Sequence, residues 1–102
     1  MNEASAEEQV RLSAVVIGRV QGVGFRYFVA DHAERLEATG WVRNRWDGSV
    51  EVTAEGTRKA LERLIIQLER GPASAYVSRV QVQWGEATGE FTSHEGLRCQ
   101  HH

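Results

Sequence analysis

The stretch Trp41-Val42-Arg43-Asn44-Arg45-Trp46-Asp47-Gly48-Ser49-Val50-Glu51-Val52-Thr53-Ala54-Glu55 decides the fold. Asp-Gly between two runs rich in β-branched and aromatic residues is the strongest short-range hairpin signal, because both residues tolerate the positive φ of a tight turn. It predicts strands over Trp41 to Trp46 and over Ser49 to Glu55. In the second run Val50, Val52 and Ala54 share one face, while Ser49, Glu51, Thr53 and Glu55 share the other. Such alternation predicts a sheet covered on one side and open to water on the other.

Outward from the hairpin, helical and strand periods alternate. Leu12 to Ile17 is a short apolar run rich in β-branched residues and predicts a strand. Phe25, Phe28, Val29, His32, Ala33 and Leu36 recur at helical spacing, giving an amphipathic helix over Phe25 to Glu37. Gly40 either ends that helix or opens the next strand. Thr57 to Arg70 predicts a second helix with Leu61, Leu64, Ile65 and Leu68 inward, stopped by Gly71-Pro72. Tyr76 to Trp84 alternates again, with Val80, Val82 and Trp84 inward, and a short last strand is expected around Glu90 to Thr92. The order is that of an α+β ferredoxin-like β-α-β-β-α-β sandwich, an antiparallel sheet with two helices on one face. Residues 11–92 are expected to form this domain, between a flexible N-terminal tail (1–10) and a C-terminal tail (93–102). The fold by itself names no activity.

A chain of 102 residues suits one compact domain, and buries roughly two-thirds of its unfolded surface without staples. A net charge of −2 argues against a general nucleic-acid binder. A single cysteine, Cys99, excludes an internal disulfide and fits a reducing, cytoplasmic setting. No apolar run approaches the ~18 residues of a membrane span. Met1 to Val10 lacks the apolar stretch of a signal peptide.

Chemistry concentrates in Gly18-Arg19-Val20-Gln21-Gly22-Val23-Gly24-Phe25-Arg26. A glycine-rich turn running into a helix offers backbone N–H groups and the positive end of a helix dipole. Helix starts are ordinarily capped by Ser, Thr, Asp or Asn. Here Gly22, Val23, Gly24 and Phe25 fill the plausible cap positions, and none has a side-chain oxygen. Arg26 in the first turn adds a charge that the dipole repels, at roughly 0.3–1 kcal/mol. An anion would resolve both problems, and the planar fork of Arg26 suits phosphate. The alternative is an ordinary glycine turn with a surface arginine that snorkels away. The loop fits neither familiar nucleotide pattern: Val23 stands at the second Walker glycine, and Tyr27 where a dinucleotide fingerprint needs Gly or Ala. That favours a single phosphate group.

Asn44 is the second candidate, since Asn is poorly suited to a strand interior. In the expected fold its strand and the glycine loop can lie close together, so its amide could orient a water beside a phosphate on Arg26. Equally, Asn44 could simply begin the turn toward Asp47-Gly48. His32, on the apolar helix face, reads as a packed histidine. Arg43 and Arg45 alternate onto the face opposite Asn44 and read as solvated. His94, His101 and His102 receive no role, Cys99 has no evident base partner, and the carboxylates show no metal-ligand spacing. A phosphate cradle without nucleophile, metal cluster or general acid suits a substrate with a good leaving group. A carboxyl phosphate is one, because a carboxylate of pKa about 4 departs unaided. Positioning and charge stabilisation then suffice.

On these residues, together with Thr39-Gly40-Trp41-Val42-Arg43-Asn44 and the placement of Asp47-Gly48 and Gly71-Pro72, the sequence resembles an acylphosphatase from about Leu12 to Thr92. The resemblance implies hydrolysis of acyl phosphates, such as acetyl phosphate, to a carboxylate and inorganic phosphate, without metal, cofactor or covalent phosphoenzyme. It implies that Arg26 binds phosphate, that Asn44 positions the attacking water, and that Gly18, Arg19, Val20, Gln21, Gly22, Val23, Gly24 and Phe25 form the phosphate loop. A phosphate oxygen of the substrate would help deprotonate the water, and product phosphate would compete for the cradle. A monomer with a small-molecule substrate and no nucleic-acid or membrane partner is expected. Two rivals remain. One is a phosphate-binding module without turnover, since similar domains begin larger carbamoyl-transfer proteins; the short length and lack of a zinc-finger-like cysteine set argue against such a protein. The other, an RNA-binding ferredoxin-like domain, needs aromatics on the open sheet face. Ser49 to Glu55 carries none there.

Overall fold

Strand alternation and two amphipathic helices build one sheet with one covered face. The computed structural model describes residues 8–91 and 96–100. Among these, five strands and two helices follow in the order β1 (Gln9–Arg19), α1 (Phe25–Arg35), β2 (Thr39–Asn44), β3 (Val50–Thr57), α2 (Arg58–Arg70), β4 (Tyr76–Glu86) and β5 (Leu97–Gln100). The sheet order is β4-β1-β3-β2-β5. Antiparallel pairs join β1 to β3 and β4, and β2 to β3. The two helices are the crossovers of the ferredoxin-like arrangement the sequence predicts.

The core follows from the register. Leu12, Ala14 and Val16 on β1 stand opposite Ala54, Val52 and Val50 on β3, and all six are buried. Phe25, Val29 and Ala33 of α1 and Leu61, Leu64 and Leu68 of α2 close over them in the same apolar cluster. Burying one such Val, Leu or Phe side chain contributes about 1.5–3 kcal/mol. Gly40 lies inside β2, where a Cβ would run into the Thr53 carbonyl oxygen of β3, so the strands approach this closely only with glycine there.

Three expectations change. Glu90 and Phe91 are in no strand, and Thr92 falls outside the described residues. The last strand is instead β5, within the stretch expected to be a tail, and it runs parallel to β2 with Gly40 opposite Leu97 and Val42 opposite Cys99. The sheet is therefore mixed, and it reaches past both expected domain limits, from Gln9 to Gln100. Only Leu97 and Cys99 of β5 turn inward, so four residues among polar neighbours carry too little alternation to reveal the strand. The expected tails otherwise fall mainly on residues 1–7, 93–95, 101 and 102, outside the described residues.

The second change concerns the open sheet face. Glu55 is only 4% exposed and Thr53 6%. The segment after β4 folds back over this face. Glu55 Oε2 accepts from Arg11 Nε at 2.8 Å and from Thr88 N at 2.9 Å, and Oε1 accepts from Gly89 N at 3.0 Å. Burial pushes the Glu55 carboxyl up, but these donors outweigh it and hold it below the usual range. The Arg11 guanidinium also lies over the Phe91 ring, 5.3 Å from its centre.

The third is the β2–β3 turn, which spans Arg45 to Ser49 rather than two residues. Arg45 N donates to Ser49 O (2.8 Å) and Gly48 N to Arg45 O (3.1 Å). Asp47 Oδ1 accepts from Ser49 N (3.0 Å) and Ser49 Oγ (2.6 Å), the side-chain turn that Asp favours. The strand consequently ends at Asn44, and Trp46 is left 95% exposed.

Candidate active site

The pairing of β1 with β4 shifts register between Ile17 and Gly18, and β1 ends at Arg19, still paired with Tyr76. Val20 and Phe25, each 1% exposed, plug into the core at either end of the loop. Between these anchors Gly22 (φ 75°) and Gly24 (φ 78°) take left-handed backbone conformations, which side chains disfavour. A Cβ on either would meet nothing within 4 Å, so both glycines face open space. Gly24 is the N-cap of α1. No side chain hydrogen-bonds to the cap, and the first turn holds no acidic residue. The helix start therefore presents backbone donors and a positive dipole end to solvent.

Arg26 is half-buried in that first turn. Its Nη1 donates to the Gln100 carbonyl at 2.9 Å, so the end of β5 holds the guanidinium. Neighbouring Cys99 has its thiol pushed up by burial, against the opposing charge of Arg26. Arg19 is exposed where β1 ends. Asn44 is half-buried, pairs with Val50, and follows buried Val42 on the same face. It is thus both the last strand residue and the residue before the turn.

Loop and turn are joined directly. Gln21 Nε2 donates to Arg45 O at 2.5 Å and to Ser49 O at 2.9 Å. From the other side Ser74 Oγ donates to Val23 O at 3.2 Å. The structure thereby gathers the loop, Arg26 and the Asn44 turn at one end of the sheet. His32 lies elsewhere, edge-on to Phe28 with ring centres 4.6 Å apart. Arg43 pairs with Glu51 (3.1 Å) and stacks over Trp41 (4.6 Å), and Arg45 lies 3.7 Å from Asp47. A groove of about 780 Å³ by the far half of α1 is lined by Asp31, Glu34, Glu37 and Glu55. Those carboxylates repel an anion. Among the described residues no three His, Cys, Asp or Glu gather as metal ligands, and no helix is long and apolar enough to cross a membrane.

In the sequence Gln21 is one loop residue among eight and Gln100 carries no role. Gln100 acts through its backbone carbonyl, which any residue carries. Gln21 left a faint signal, as the one long uncharged polar side chain among the loop's glycines and valines.

Fold and loop together define a ferredoxin-like α+β domain that opens an uncapped helix start beside an arginine. The acylphosphatase family profile matches residues 12–95. Over 90 residues the chain is 52% identical to an acylphosphatase of Salinibacter ruber, covering 88% of this chain and 92% of that one. Over 81 residues it is 54% identical to an acylphosphatase of Cupriavidus necator, covering 79% and 86%. The crystal structure of Bacillus subtilis acylphosphatase superposes with a TM-score of 0.83 at 34% identity, covering 89% of this chain and 98% of that one. The chain belongs to the acylphosphatase family.

Proposed function

We propose that this acylphosphatase-family hydrolase cleaves the carboxyl–phosphate bond of small acyl phosphates by direct attack of water, with Arg26 and the Gly18 to Gly24 backbone holding the phosphate and Asn44 positioning the water. The observation that carries the reading is the start of α1. Its N-cap is a left-handed glycine without a side-chain cap, no acid stands in its first turn, and Arg26 does. The uncapped backbone N–H groups and the neighbouring Arg26 guanidinium support a phosphate held at this helix start, in the manner of electrostatic preorganisation.

The bond changes need little else. The water oxygen bonds to phosphorus as the bridging bond to the acyl oxygen breaks, and the electron pair leaves with the carboxylate. A group with a pKa of about 4 needs no acid to leave. The water's proton passes to a phosphate oxygen, so no separate protein base is required. Inorganic phosphate remains in the same cradle and competes with substrate. A core closed within one chain supports a monomer, and a lone cysteine supports a reducing, cytoplasmic setting.

Hydrolysis of benzoyl phosphate in EDTA tests the reading. Wild type is expected to turn over. Arg26→Ala should lose about 10²–10³-fold in kcat/KM and weaken inhibition by phosphate. Asn44→Ala should lose roughly 10²-fold or more in kcat while phosphate still inhibits. Activity retained in both variants, or lost in EDTA, contradicts the mechanism. Phosphate binding without turnover in wild type moves the chain to a binding role.

A further inference from the structure

We infer that Gln21 is a positioning residue, whose side-chain amide fixes the phosphate loop against the β2–β3 turn and thereby sets where Asn44 stands relative to bound phosphate. The inference rests on the hydrolytic reading above. An amide nitrogen carries two hydrogens, and Gln21 spends both on carbonyls across the turn, at Arg45 (2.5 Å) and Ser49 (2.9 Å).

Neither carbonyl needs them. Arg45 O already accepts from Gly48 N, and Ser49 O from Arg45 N. A buried acceptor left unsatisfied costs about 1–3 kcal/mol, but removing Gln21 leaves none at either carbonyl. The two bonds therefore do little to satisfy the turn and much to register two segments 24 and 28 residues apart. Each segment is suited to this. The turn is braced by Asp47, whose Oδ1 takes both Ser49 N and Ser49 Oγ. The loop beyond Gln21 contains two left-handed glycines facing open space; Ser74 Oγ braces it from one side through Val23 O, and Gln21 braces it on the side of the turn. Asn44 directly precedes Arg45, so its Cα lies about 3.8 Å from that of the tethered residue. A shift of the loop against the Arg45 carbonyl is then a shift of the phosphate against Asn44, and a misplacement of about 1 Å costs on the order of 10²-fold in rate.

The test uses the full chain with benzoyl phosphate as substrate and inorganic phosphate as inhibitor. Gln21→Met keeps the length and removes the donors. It should lower kcat by roughly 10-fold to 10²-fold and change the phosphate inhibition constant by less than about threefold, because Arg26 and the loop N–H groups remain. Gln21→Glu turns a carboxylate on two carbonyls at neutral pH, and regains one O–H donor on protonation. Its kcat relative to wild type should therefore climb as pH falls from 7 toward the carboxyl range, at about 4 to 5. A Gln21→Met enzyme with wild-type kcat, a fall in phosphate affinity matching the fall in kcat, or a pH-independent Gln21→Glu ratio overturns the positioning role alone. An inactive wild type overturns the hydrolytic reading and this one together.

Discussion

The two helices begin in opposite ways. At α2 the N-cap is Thr57 in extended backbone, and its Oγ1 accepts from Ala60 N at 3.1 Å. At α1 the N-cap is Gly24 in left-handed backbone, with no side-chain acceptor. Counting charges would point to the wrong helix, for α2 opens with both Arg58 and Lys59 while α1 has Arg26 alone. The difference lies in where the charge goes. Arg58 bends to Glu62 (3.3 Å) and over the Trp84 ring (4.0 Å), off the helix start. Arg26 is held by the carbonyl of Gln100 on a separate strand. A completed cap with a diverted cation leaves nothing for an anion to satisfy, whereas the open cap with an anchored cation is where the proposed function puts the phosphate.

Closing the open cap should have the largest effect. Gly24→Asp supplies a carboxylate that can accept the first-turn N–H groups, and Asp tolerates left-handed backbone better than most residues. It would make α1 resemble α2 and set a negative charge where phosphate should sit. The expected result is a loss of about 10²-fold in kcat/KM and a matching rise in the phosphate inhibition constant, with the melting temperature held within a few degrees. Steady-state kinetics beside a thermal melt checks both halves. Opening the closed cap should do the reverse, more mildly. Thr57→Ala is expected to remove about 1 kcal/mol of stability, seen as a lower denaturant midpoint, with kcat and KM unchanged. An activity loss there would erase the distinction between the helix starts.

Much of this architecture is legible in the sequence, and what is not has a common cause. Val50, Val52 and Ala54 against Leu12, Ala14 and Val16 fix the covered face by period alone, and the leucines of α2 do the same at helical spacing. The Gly22 and Gly24 backbone is readable because few other residues tolerate such φ values. The failures arise where a group's surroundings come from distant chain. Glu55 alternates like a solvent-facing residue, yet Thr88 and Gly89 bury it from more than thirty positions away. β5 is four residues long and is held by pairing with β2 rather than by its own pattern. The expected strand Trp41 to Trp46 stops at Asn44 because the Asp47 side chain, by accepting from Ser49, lengthens the turn beyond what Asp-Gly alone suggests, so Asn44 stands at the turn's edge, one of the two readings its sequence position allows. The ties around the candidate site, Gln21 to Arg45 and Arg26 to Gln100, end on backbone carbonyls that no side-chain pattern announces.

The most direct test of an anion site at α1 is a titration with inorganic phosphate followed through backbone amide chemical shifts. Saturable shifts are expected at Gly22, Val23, Gly24, Phe25 and Arg26, with Arg58, Lys59 and Ala60 at the other helix start unmoved. Silent loop amides, or shifts of equal size at both helix starts, would contradict it.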